Sequence, residues 1–247
     1  MRSFFRLALL LALLFPATHA VLAQSSSSDS SNPASGQDQA QPQKPTADAG
    51  QVSVQARIRA RREQRRAAAI HDAYSHRFEV AESMGYLRFK PGPSLQRLTY
   101  YAWDTGITRN FNERLGVTVD GRGYYGTAFV GLNPSNITRP AISQYDVLAG
   151  PTYRFYLLPK YSVAGRVMGG WAHGNFSGDT NGFGGKTLGL YPDANTFAVS
   201  ASVIGEFNLA PNIGFRLAPE YFATGFGSTM QNSLGFTGGI VYRFGKQ

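Results

Sequence analysis

Asn232-Ser-Leu-Gly-Phe-Thr-Gly-Gly-Ile-Val-Tyr-Arg-Phe244 alternates strictly. Leu234, Phe236, Gly238, Ile240, Tyr242 and Phe244 share one side. Gly235, Thr237, Gly239, Val241 and Arg243 share the other. A period of two over this length specifies an extended strand. One side is oily and ends in two aromatics, while the other carries a charge. That is the profile of a wall between lipid and a polar lumen. A single strand cannot cross a membrane, because its backbone N–H and C=O groups would go unpaired in hydrocarbon. The stretch therefore calls for partner strands that close a ring.

Working outward, the same texture runs back to Arg77, broken by turn-rich gaps. The pattern predicts eight strands: Phe78–Lys90, Leu98–Phe111, Leu115–Ala128, Ser143–Leu157, Tyr161–Asn175, Thr196–Leu209, Ile213–Ala223 and Ser233–Phe244. Several exceed the roughly 9–11 residues that cross a bilayer at a tilt. In the first strand the alternation is ambiguous around Gly85, where a bulge could shift it. The connections at 112–114, 158–160 and 210–212 are tight. Those at 131–142, 176–195 and 224–232 are longer and rich in Gly, Asn, Ser and Thr. Short turns at one end and long loops at the other fit an up-and-down membrane barrel with an even strand number. The expected fold is all-β: a closed eight-stranded antiparallel transmembrane β-barrel over 77–247, behind an N-terminal disordered tether and a short helix.

Assigning faces collects the charges on one side: Asp104, Asp120, Asp146, Glu206 and Glu220 against Arg122, Arg154, Arg166, Arg216 and Arg243, joined by Glu79. On a lipid face each Arg would cost about 2–4 kcal/mol at the midplane. Facing inward they can pair, and eight strands enclose just enough room for side chains. A lumen filled by salt bridges and hydrogen bonds is expected, rather than an open channel. The inverse arrangement is a soluble ligand-binding barrel, in which Tyr101, Trp103, Phe155, Phe197 and Phe207 would line a pocket. Periodicity does not separate the two. Charged residues at 16% of the chain, against about 25% in soluble proteins, favour the membrane, as do aromatics near the strand ends.

The N-terminal third reads differently. Residues 1–23 have the form of a secretory signal peptide: Arg2 and Arg6, an apolar run from Leu7 to Phe15, and cleavage after Ala20 or Ala23. Residues 24–51 are a Ser-, Gln- and Pro-rich stretch with almost nothing to bury, expected to be a disordered linker. Residues 52–76 form a basic helical segment with six arginines between Arg57 and Arg66. Such a helix could lie on anionic head groups or a polyanion, but a solvated helix beside the barrel mouth is the preferred reading. No nucleic-acid partner is expected for an exported chain. With no Cys, disulfides, thiolate catalysis and Cys-based metal sites are excluded, and no cofactor is expected.

Thr237-Gly-Gly-Ile-Val-Tyr242-Arg-Phe244 fits the closing-strand pattern read by the barrel-assembly machinery of bacterial outer membranes: polar, any, Gly, two any, aromatic or apolar, any, aromatic. With the signal peptide and eight strands, the chain resembles a small bacterial outer-membrane β-barrel protein, similar to the membrane domain of the OmpA family. The resemblance covers about Phe78 to Phe244. It departs from the family in that Gly245-Lys-Gln247 follow the terminal aromatic. The larger relatives' peptidoglycan-binding domain has no counterpart either. The resemblance implies a Gram-negative outer-membrane location with periplasmic termini, and Thr237, Gly239, Tyr242 and Phe244 as an assembly signal. It further implies outer-membrane lipid and the assembly machinery as partners, and a structural or porin-like role without catalysis. A monomer is expected. The alternative, a lipid A deacylase type of enzyme, would use His173 with Ser177 and Asp179. Those enzymes, however, carry His and Ser two apart on a strand, and residue 175 is Asn.

Overall fold

The computed structural model describes residues 47–246. The signal peptide and residues 24–46 of the linker lie outside the described residues. Helix α1 spans Ala47–Tyr74, so it begins five residues earlier than the sequence suggests. A single residue, Ser75, separates α1 from the sheet, and its N–H bonds back to His71 O at 2.9 Å.

The strands are β1 (His76–Phe89), β2 (Leu98–Asn110), β3 (Leu115–Thr127), β4 (Ala141–Leu157), β5 (Tyr161–Asn175), β6 (Ala194–Ala210), β7 (Ile213–Thr224) and β8 (Gln231–Lys246). Each pairs antiparallel with its sequence neighbour, and β1 pairs with β8, closing the barrel. Every backbone edge is thereby satisfied, as a wall in hydrocarbon requires. The ends differ from the sequence reading by one or two residues at most positions.

The alternation left ambiguous at Gly85 does not slip. The β1–β2 register runs without a shift from Phe78 opposite Arg109 to Phe89 opposite Leu98. Gly85 is there because β8 passes too close for a side chain: a Cβ would strike Phe236 O and Thr237 Cα. The irregularities fall beside tight turns instead, between Arg154 and Tyr156 on β4 and between Asn208 and Ala210 on β6.

The two ends of the barrel have different chemistry. At the end where α1 enters, tight turns join β2 to β3, β4 to β5 and β6 to β7. In the first, Asn112 Oδ1 accepts the N–H groups of Arg114 (2.8 Å) and Leu115 (2.7 Å), the local bonding that makes Asn a turn former. At the other end the β5–β6 connection folds back with a short 3₁₀ turn, Gly185–Leu188. Tyr191 N–H then bonds Pro91 O of the β1–β2 connection at 2.9 Å.

Burial alternates along every strand, and the oily set faces out. Tyr101, Trp103, Phe155, Phe197 and Phe207 are all exposed on the outer surface, so they do not line a pocket. The soluble barrel with an oily interior is thereby excluded as an architecture. Outward aromatics sit towards both strand ends, among them Phe78, Tyr242 and Phe244 at one level and Tyr86, Tyr125, Tyr145 and Trp171 at the other. Between them lie Val119, Val147, Val167, Val203 and Ile240, all exposed. In a bilayer that band meets acyl chains. Val167→Arg is accordingly expected to lower stability in lipid vesicles by about 2–4 kcal/mol. Equilibrium urea unfolding followed by Trp fluorescence measures it. An effect near zero would place Val167 in water.

The barrel lumen as candidate functional site

Each ionisable residue predicted for the lumen is buried and points inward: Asp104, Asp120, Arg122, Asp146, Arg154, Arg166, Glu206, Arg216, Glu220 and Arg243, with Glu79. The geometry divides them into two groups stacked along the barrel.

The group nearest α1 is built on Glu79 and Glu206. Glu79 meets Arg154, Arg216 (3.2 Å) and Arg243 (3.2 Å), and accepts from Asn110 Nδ2 at 3.2 Å. Glu206 accepts from Arg243 Nη2 at 2.7 Å, from Arg216 Nε at 2.8 Å and from Ser162 Oγ at 3.1 Å. Two carboxylates thus share three guanidiniums. Register explains two of these contacts, since Glu79 faces Arg243 across β1–β8 and Glu206 faces Arg216 across β6–β7. The contacts of Glu79 with Arg154 and Arg216, and of Glu206 with Arg243, are not between directly paired residues. Beside them, Thr108, Thr118 and Thr152 form a hydroxyl ladder across β2, β3 and β4 at 2.8 and 2.9 Å.

The middle group is centred on Arg122. Its guanidinium reaches Asp104 (3.2 Å), Asp120 (2.9 Å) and Glu220 (2.5 Å), while Arg166 meets the same Asp120 oxygen, Oδ2, at 3.0 Å. Surrounding a buried guanidinium with acceptors is what makes its desolvation tolerable. Asp146 departs from the expected matching of signs. Although Arg122 is its cross-strand partner on β3, that side chain turns to the other three carboxylates. Among the described residues no cation lies within salt-bridge reach of Asp146, and Gln144 Nε2 donates to it instead, at 2.9 and 3.1 Å.

The network does not fill the whole lumen, and here the sequence reading needs correction. Towards the loop end the interior is apolar. Phe89 stacks on Tyr100 (4.9 Å between ring centroids), Phe176 packs edge-on to Phe226 (5.2 Å), and Tyr124 tilts against Phe222 (5.7 Å). Leu188, Leu190 and Tyr191 from the folded-back β5–β6 connection complete this lid. Leu87, Phe89, Tyr100, Tyr124 and Phe222 all fall on the inward set. Carrying the alternation to the strand ends would therefore have found them, whereas the loop residues Phe176, Leu190 and Phe226 carry no periodic signal.

Sequence reasoning also missed Tyr74. The last turn of α1 inserts this ring into the opposite mouth, where it is fully buried. Its hydroxyl donates to Leu158 O (3.1 Å) and accepts from Asn208 Nδ2 (2.7 Å). The guanidiniums of Arg243 and Arg154 lie 5.2 and 5.5 Å from the ring centroid, within cation–π range. Burial raises the phenol above its ordinary pKa, against hydrogen bonds from Ser162 and Asn208. Outside the mouth, His71 Nδ1 meets Glu113 Oε1 of the β2–β3 turn at 2.8 Å. Residues 54–69 of α1 are exposed.

The Ser-His-acid set of the enzymatic alternative is not brought together. His173 faces outward, stacks on Trp171, and bonds Asn195 Oδ1 at 2.7 Å. Ser177 bonds Asp193, and Asp179 Oδ2 accepts the N–H of Ala141 at 3.1 Å. Of the suggested assembly-signal residues, Tyr242 and Phe244 point outward, while Thr237 and Gly239 belong to the inward set.

The chain matches no protein-family model and no curated protein. Several solved structures resemble it. The outer membrane protein OprG from Pseudomonas aeruginosa aligns with a TM-score of 0.50 at 8% identity, over 70% of this chain and 98% of that one. Neisserial surface protein A gives a TM-score of 0.48 at 16% identity, over 68% and 97%. Ail, the attachment invasion locus protein of Yersinia pestis, gives 0.40 at 15% identity, over 67% and 96%. These likenesses do not single out the OmpA family. With the closed topology, inward charges and outward oily belt already in place, the likeness to OprG gives the chain the fold of a small bacterial outer-membrane β-barrel.

Proposed function

We propose that the chain is a sealed structural barrel of the bacterial outer membrane, without a standing channel and without catalysis. One observation carries this: the lumen is occupied along its length, by the Tyr74 plug, two ion-pair groups and an aromatic lid in turn. A permeant ion would have to displace buried guanidinium–carboxylate pairs, each of which leaves an uncompensated charge when opened. The membrane setting is supported by the exposed apolar belt with aromatics towards both edges, together with the signal-like N-terminus. Outer-membrane lipid is the surrounding partner. The closing strand serves the assembly machinery through Thr237, Gly239, Tyr242 and Phe244, and the tight turns and termini lie on the periplasmic side.

The purified chain, inserted into a planar bilayer, is expected to show no steady open state. It should also show the heat-dependent gel mobility of a closed barrel. A large, persistent conductance would sink the sealed-lumen reading and turn the assignment to a porin. Solubility without detergent would remove the membrane assignment altogether.

A further inference from the structure

The belt contains one residue that does not belong in hydrocarbon. Glu82 is exposed on the outer face of β1, four residues from Phe78 and four from Tyr86. At about 3.3 Å per residue this is roughly 13 Å along the strand from each aromatic level. Among the described residues it is the only charged side chain on the outward set between those levels. A lone ionisable group at such a depth is costly, and where it persists it marks a functional site.

Its surroundings form a shallow notch. Thr105, directly opposite on β2, donates its hydroxyl to Glu82 Oε2 at 2.9 Å. Beyond Thr105 the register leads to Gly121 on β3, where a Cβ would meet nothing within 4 Å. Trp103 forms the upper wall, its indole lying over Gly123. Met84, Ile107, Val119 and Ile240, all exposed, make the apolar rim.

The geometry points to a binding site for a lipophilic amine, with Glu82 as counter-ion, Thr105 as acceptor, the Trp103 face as a cation–π contact and the rim receiving the alkyl part. This rests on the membrane reading given above. Charge complementarity selects the class, since a neutral or anionic amphiphile gains nothing from the carboxylate. A single carboxylate in an aliphatic wall suits a single-headed small molecule. A protein partner would need about 800 Å² of specific surface, and the belt around the notch is ordinary aliphatic wall.

The chain has two tryptophans, so Trp171→Phe leaves Trp103 as sole reporter. Full-length protein in zwitterionic vesicles is titrated with a chain-brominated dodecylamine, and in parallel with the matching brominated alcohol. Saturable quenching by the amine is expected, with at least tenfold weaker apparent affinity in Glu82→Gln and no saturation for the alcohol. Heat-dependent mobility confirms that each variant is folded. Quenching that is unsaturable, or equal in Glu82→Gln, would overturn the site and leave simple partitioning. Brominated phospholipid alone separates the two levels. It must quench Trp103 if the belt is in lipid, and its failure would overturn the membrane reading along with the site.

Discussion

Glu79→Ala is expected to destabilise the barrel by about 3–5 kcal/mol, the range for removing one partner from a buried ion group. Glu79 is the acceptor for Arg154, Arg216 and Arg243 together. Without it, Glu206 remains as the nearest counter-charge for Arg216 and Arg243, and Arg154 is left with neutral acceptors, Asn110 Oδ1 and Glu113 O at 3.3 Å. The cost arises less from lost attraction than from three guanidiniums that stay buried with too little negative charge. Glu113→Ala is the control, because this carboxylate is partly exposed and meets only His71. It should change stability by no more than about 0.5 kcal/mol. Equilibrium unfolding in lipid vesicles measures both. Trp103 and Trp171 sit on the outer face and report when the belt leaves the lipid. If Glu79→Ala behaved like the control, the foot of the lumen would be hydrated rather than ion-paired.

Tyr74→Ala is the second large effect, about 3 kcal/mol or more, as for other buried aromatic truncations. It removes a fully buried ring, two cation–π contacts and a hydroxyl that both donates and accepts. Tyr74→Phe keeps the ring and loses only the hydroxyl. It should cost about 1–3 kcal/mol, the penalty for leaving a buried partner, here one N–H of Asn208, unsatisfied. The pair separates plugging from hydrogen bonding. Amide hydrogen exchange provides the structural readout. In Tyr74→Ala the last turn of α1 should exchange like its exposed remainder, while the β-ladder stays protected. Equal stability of Tyr74→Ala and wild type would mean that the helix base rests on the mouth without sealing it.

The sequence carried the parts of this structure that are local and periodic. A two-residue repeat is written residue by residue, so strand number, the sidedness of Asp104 through Arg243 and the tight turns were legible without partners. Glu82 lay in the same repeat, but the ambiguity at Gly85 obscured its outward direction. A collision with β8 explains that glycine, and this is a fact of barrel closure. What the tertiary structure alone decided are the contacts made across the lumen. Arg122 abandons its register partner Asp146 for Glu220, Arg154 meets Glu79, and Phe176 and Leu190 fold in from a connection without a pattern. These contacts depend on strand stagger and curvature, which set which inward side chains share a level. Tyr74 shows the same limit most plainly: its composition reads only as the end of a basic helix, and it becomes a stopper because the closed sheet leaves a mouth of its size, walled by two arginines.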